Sequence, residues 1–140
     1  MGWTGCEGIF KDARDFFRHE FASEIGDGQF VDFSFGKREK SEWGDGFETW
    51  ETPVFCAMKG ENGNVSGMVI LLDERRESGR TEWLYKMIGE NAGPVEDRCP
   101  EKILGLLDAP ESENARAWRE KCWRNLGKEM PEEERRGPAL

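Results

Sequence analysis

The chain has 140 residues, with 29 acidic against 20 basic side chains and a formal net charge of −9. A chain of this length fits one domain, burying roughly two-thirds of its unfolded surface without needing a disulfide or a metal to fold. Nine Phe, six Trp and one Tyr compensate for a hydrophobic fraction of 36% and exclude wholesale disorder. Apolar runs such as Met68 to Leu72 fall far short of the roughly 20 residues of a membrane-spanning helix.

In chain order, residues 9–25 read as an amphipathic helix. Ile9, Ala13, Phe16, Phe17, Glu20, Phe21 and Ile25 recur at steps of three and four, with Glu20 as the one polar intruder, Asp12 as a cap, Gly26 as a stop and Gly28 to turn the chain. Phe30 to Phe35 alternates as a strand, and residues 36–46 read as a polar loop. A second strand covers Phe47 to Lys59, where Pro53 demotes that part to an edge position or a bulge. Residues 60–64 signal a turn, Val65 to Leu72 is the clearest strand, and Asp73 to Gly79 reads as a charged turn. Arg80 to Ile88 then places Trp83, Tyr85 and Met87 on one face, with Leu84 and Ile88 on the other.

After Gly93-Pro94 the pattern becomes helical. Pro100 starts a short helix to Leu107, with Ile103, Leu104 and Leu107 inward. Ser112 starts another that runs to Leu126, with Ala115, Trp118, Cys122 and Leu126 on one stripe and Gly127 as its stop. Residues 1–127 thus form a single α+β domain, followed by a charged tail of residues 128–140. The expected architecture is an antiparallel three- to four-stranded sheet packed by an N-terminal helix and two C-terminal helices, in two layers.

Catalytic signatures are sparse. The single histidine, His19, precedes Glu20, but position 23 is Ser rather than the second imidazole a zincin helix needs. Cys6, Cys56, Cys99 and Cys122 are too far apart in sequence for a zinc knuckle, so Cys56 and Cys122 read as small core residues. No metal or cofactor is expected. The most unusual stretch is Glu42, Trp43, Asp45, Phe47, Glu48, Trp50 and Glu51, which mixes acids and aromatics between a loop and a strand. One reading is a partner-binding epitope, with rings as anchors and acids steering a basic partner. The other is a strand whose rings pack inward while its acids stay in water.

The first seven residues have neither a basic cap nor an apolar stretch of the secretory kind, so a cytoplasmic protein with reduced thiols is expected. The acidic balance argues against direct nucleic-acid binding, and bases are interleaved with the acids in runs such as Asp73-Glu74-Arg75-Arg76-Glu77.

Met1-Gly2-Trp3-Thr4, Gly93-Pro94, Cys99-Pro100, Ile103-Leu104, Leu106-Leu107 and Ala117-Trp118-Arg119 with Cys122 resemble a small family encoded by bacteriophages and integrative elements. That family carries only a domain-of-unknown-function label. Residues 5–60 depart from its pattern, with Cys6 where an aromatic is common. The resemblance implies no reaction, cofactor or catalytic residue. It implies a genomic context, that of small accessory proteins acting inside a bacterial host. The function expected from it is non-enzymatic inhibition of a host defence protein or nucleoprotein complex, such as CRISPR–Cas, through an acidic surface. The alternative is a small cysteine-based metal-binding protein or enzyme.

Overall fold

Asp12 sets where the first helix begins. Its carboxylate accepts a hydrogen bond from the Asp15 N–H at 2.9 Å, and α1 runs over Ala13–Glu20. Phe21, at φ −108° and ψ 23°, separates α1 from a further short helix, α2 (Ala22–Gly26), and Gly28 turns the chain at φ 77°. The cap leaves Ile9 outside the helix and fully exposed, although its spacing had placed it on the apolar stripe. The computed structural model describes residues 4–6, 9–41, 48–90 and 98–131. Glu42, Trp43, Asp45 and Phe47, the Gly93-Pro94 turn and residues 132–140 lie outside them.

The strands are β1 (Thr4–Cys6), β2 (Phe30–Phe35), β3 (Glu39–Ser41), β4 (Glu48–Lys59), β5 (Val65–Glu77) and β6 (Arg80–Ile88). They form one antiparallel sheet in the order β1-β6-β5-β4-β2, and β3 also pairs with β4. The expected α+β class and antiparallel sheet are present, with two three-residue strands extending the four longer ones.

Three expectations about the strands change. Residues 39–41 form a strand inside the expected loop, because Lys40 and Ser41 pair with Trp50 and Thr49. The strand β5 continues to Glu77 through the expected charged turn; its charges find partners on both neighbouring strands, and Ser78 (φ 51°) and Gly79 (φ 78°) alone make the hairpin loop. Pro53 lies within a central strand. The Gly36 N–H donates to the Pro53 carbonyl at 2.7 Å, so the edge of Pro53 that lacks an N–H faces the gap where β2 ends at Phe35 and β3 has not begun.

Helices cover both faces of the sheet, giving three layers where two were expected. On one face, Phe16 and Phe17 of α1 and Phe21 after it are buried against Val54, Cys56, Ile70, Leu72 and Trp83, with Ile25 of α2 partly buried beside them. On the other, α3 (Glu101–Leu104) and α4 (Glu113–Asn125) bury Ile103, Leu104, Trp118, Cys122 and Trp123 against Phe55, Ala57, Val69 and Leu71. Ser112 caps α4 by accepting from the Ala115 N–H at 3.1 Å, and Gly127 follows its end at φ 76°. Leu126, expected on the buried stripe, is 38% exposed, while Trp123 and Arg119 take inward positions. Met130 packs against this second core, so the first residues of the expected tail lie on the domain.

One ionic network is built into the second core. Arg119 donates from Nε and Nη2 to the Glu90 carboxylate at 2.6 and 2.9 Å and from Nη1 to the Asp108 carbonyl. Glu90 also accepts from the Gly67 N–H at 2.7 Å, tying α4 to β5 and to the segment after β6.

Candidate functional site

Alternation along β4 divides the described part of the acidic-aromatic segment between the two sheet faces. Glu48 and Trp50 share the face of Val54 and Cys56, whereas Glu51 lies on the opposite face with Phe55. The remaining candidates, Glu42, Trp43, Asp45 and Phe47, lie outside the described residues.

On the face of Glu51, pairing sets three carboxylates side by side. Glu39 of β3 is directly opposite Glu51, and Glu51 is directly opposite Asp73 of β5. Like charges in such positions repel. Glu51, Glu39, Pro53, Phe55 and Arg98 line a small cleft of about 140 Å³, with Arg98 ion-paired to Glu39 at 2.7 Å across its rim. Asp73 is fully buried and has no hydrogen bond to either oxygen; Arg75 stands 3.7 Å away and also reaches Glu82 at 3.7 Å.

Burial raises the Asp73 carboxyl above the ordinary aspartate range; Glu82 and Glu74 push in the same direction and Arg75 opposes them. Asp73 therefore binds its proton more tightly in the folded chain than in the unfolded one. Its contribution favours folding at low pH and is lost as pH rises from the unfolded value through the folded one. Asp73→Asn is expected to raise the urea midpoint at neutral pH, with the advantage over wild type shrinking as pH falls through that window. Parallel urea melts across pH check this; an advantage independent of pH contradicts it.

On the face of Trp50, charged groups gather around the indole. Arg38 Cζ, Arg76 Cζ and Lys40 Nζ stand 4.5, 5.0 and 5.8 Å from the ring centroid. Glu74, the cross-strand neighbour of Trp50, binds both guanidinium groups. It accepts from Arg38 Nε and Nη2 at 3.1 Å each, and Arg76 Nη2 lies 2.6 Å from it. Arg38 and Lys40 fall in the stretch whose composition reads as a polar loop, and Glu74 and Arg76 in the one that reads as a charged turn. The signal that identifies them is period-two spacing: Glu74 and Arg76 continue the face of Ile70 and Leu72, and Arg38 and Lys40 are two apart.

The chemistry of the other candidates is muted. Cys56, Cys99 and Cys122 are buried thiols. Burial raises Cys56 well above the normal thiol value; it does the same for Cys99, where Cys122, Cys56 and Glu90 add to the rise and Arg119 opposes it. Such thiols stay protonated and act as small apolar residues. Exposed His19 lies beside Phe10, with centroids 5.1 Å apart and the rings tilted at 53°. Among the described residues, no group of three or more His, Cys, Asp or Glu is arranged to hold a metal ion. Among them also, no helix is long and apolar enough to cross a membrane. A larger open concavity surrounds the Ser78-Gly79 turn, lined by Phe10, Arg80 and Trp83, and lies away from the segment's cleft. Comparison with known proteins found no match to this chain among protein-family models, curated proteins or solved structures.

Proposed function

We propose that the protein is a non-enzymatic accessory protein of a phage or mobile element that inhibits a bacterial defence system, such as CRISPR–Cas, by binding a defence protein or nucleoprotein complex. The contact runs through the acidic surface that Glu51 of the candidate segment forms with Glu39. The observation carrying this reading is the cross-strand row Glu39–Glu51–Asp73. Glu39 and Glu51 form the solvent-facing end of this row, with Asp73 buried behind them, and acids so placed steer a basic partner. A channel built to hold nucleic acid supplies such a basic surface.

The test is phage plating on a defence-armed bacterium expressing the chain. Wild type is expected to restore plating, and Glu39→Lys combined with Glu51→Lys to abolish the effect. Glu51→Gln, which keeps the shape of the side chain, is expected to weaken it only partly, and thermal melts establish that each variant folds. Folded wild type that leaves plating unchanged against the defence systems tried, CRISPR–Cas included, contradicts the reading.

A further inference from the structure

The face opposite the carboxylate row carries the reverse charge, and we infer that the cations around Trp50 form a docking surface for an acidic, extended peptide segment. Pairing sets Lys40, Trp50, Glu74 and Trp83 in one row across β3, β4, β5 and β6. At one end Trp83 is 2% exposed, with the Phe16 ring of α1 5.4 Å from it. At the other, the row emerges into solvent, where the side chains of Arg38, Lys40 and Arg76 are 44%, 59% and 53% exposed.

Two carboxylates meet these cations among the described residues. Glu74 is 6% exposed and holds Arg38 and Arg76 in place from beneath; exposed Glu48 stands 3.5 Å from Lys40. Glu74 occupies Nε and Nη2 of Arg38 and Nη2 of Arg76. Among the described residues, none of these contacts uses Arg38 Nη1 or Arg76 Nε and Nη1, and the Lys40 ammonium pairs with Glu48 alone, which leaves donors for an incoming anion. The guanidinium groups are held over a ring and anchored by a buried acid, so little side-chain entropy remains to be lost on binding. A concentration of outward cations in a chain of net charge −9 is complementary to carboxylates, which planar guanidinium groups bind through paired N–H donors.

Carboxylate is favoured over nucleic acid by the ring itself. Single-stranded nucleic acid gains affinity by stacking bases on open aromatic faces, and guanidinium groups already lie over this indole. The overall negative charge also opposes a long phosphate backbone, whereas a short acidic segment meets only the local cations. This surface is independent of the anti-defence reading, which rests on the opposite face.

The test titrates the full chain with a fluorescent poly-glutamate peptide, followed by anisotropy and by NMR of the Trp50 indole and arginine Nε signals. Poly-lysine and oligothymidylate are the comparison probes. Poly-glutamate is expected to bind most tightly and to shift the Trp50, Arg38 and Arg76 signals. Lys40→Gln with Arg76→Gln is expected to weaken binding roughly tenfold or more, as the loss of two charged contacts implies. Since Arg76 contributes to the Glu74 network, Lys40→Gln alone is a second variant, expected to weaken binding by a smaller factor with the network intact. Absence of peptide binding, unchanged affinity in both variants, or tighter binding of oligothymidylate overturns the proposal.

Discussion

Arg119→Met is expected to destabilise the domain by roughly 3–5 kcal/mol, the cost of breaking a buried ion pair on one side. Arg119 and Glu90 side chains are only 6% and 9% exposed, so methionine leaves the Glu90 carboxylate in the core without its counter-charge. It also removes the donor to the Asp108 carbonyl, in the connection between α3 and α4. Glu90→Gln combined with Arg119→Met is expected to recover part of the loss, because glutamine removes the stranded charge and can still accept from Gly67. Urea denaturation of the three proteins measures this. A single variant within about 0.5 kcal/mol of wild type, the range of an ordinary surface change, contradicts the role given to the pair.

Phe17→Ala is the second large effect, expected to cost roughly 3–5 kcal/mol. Phe17 is fully buried, and its ring centroid lies 4.9 to 5.6 Å from those of Phe33, Phe21, Phe35 and Phe30. It joins α1 to the outer strand β2, so alanine leaves a cavity against several rings and loses the edge-to-face contacts with Phe30 and Phe35. Val31→Ala, at a residue 44% exposed on the same strand, is the matched control and should change stability by no more than about 0.5 kcal/mol. Equal effects of the two substitutions would remove Phe17 from the centre of this core.

The elements with a local chemical origin were legible in the sequence. Asp12 and Ser112 cap the helices they were expected to cap, and Gly28 and Gly127 turn the chain with positive φ. The alternation of Trp83, Tyr85 and Met87 with Leu84 and Ile88 gave the faces of β6. What local pattern concealed was decided by distant partners. The run Glu74-Arg75-Arg76-Glu77 reads as a turn by composition, yet in the sheet Glu74 opposes Trp50 and Trp83, while Arg76 opposes Glu48. The third layer had a signal in the unbroken apolar run Met68 to Leu72. A strand covered on one face alternates, and one covered on both does not.

The candidate segment was visible as a composition but not as a geometry. Its residue types stood out, and period two could have separated Trp50 from Glu51. The companions of those residues could not be read locally, because Glu39, Asp73, Arg38 and Arg76 reach them through pairing among three strands. The result is a sheet end with two characters, a carboxylate row on one face and a cation-ringed indole on the other. Net charge describes neither face.

The most direct test of the proposed function is binding of the purified chain to a purified CRISPR–Cas effector complex at low and high salt, beside the Glu39→Lys, Glu51→Lys variant. Tight binding at low salt, steep weakening as salt screens the charges, and loss of binding in the folded variant are expected. Failure of the folded wild-type chain to bind at low salt, or equal binding by the variant, would contradict the proposed function.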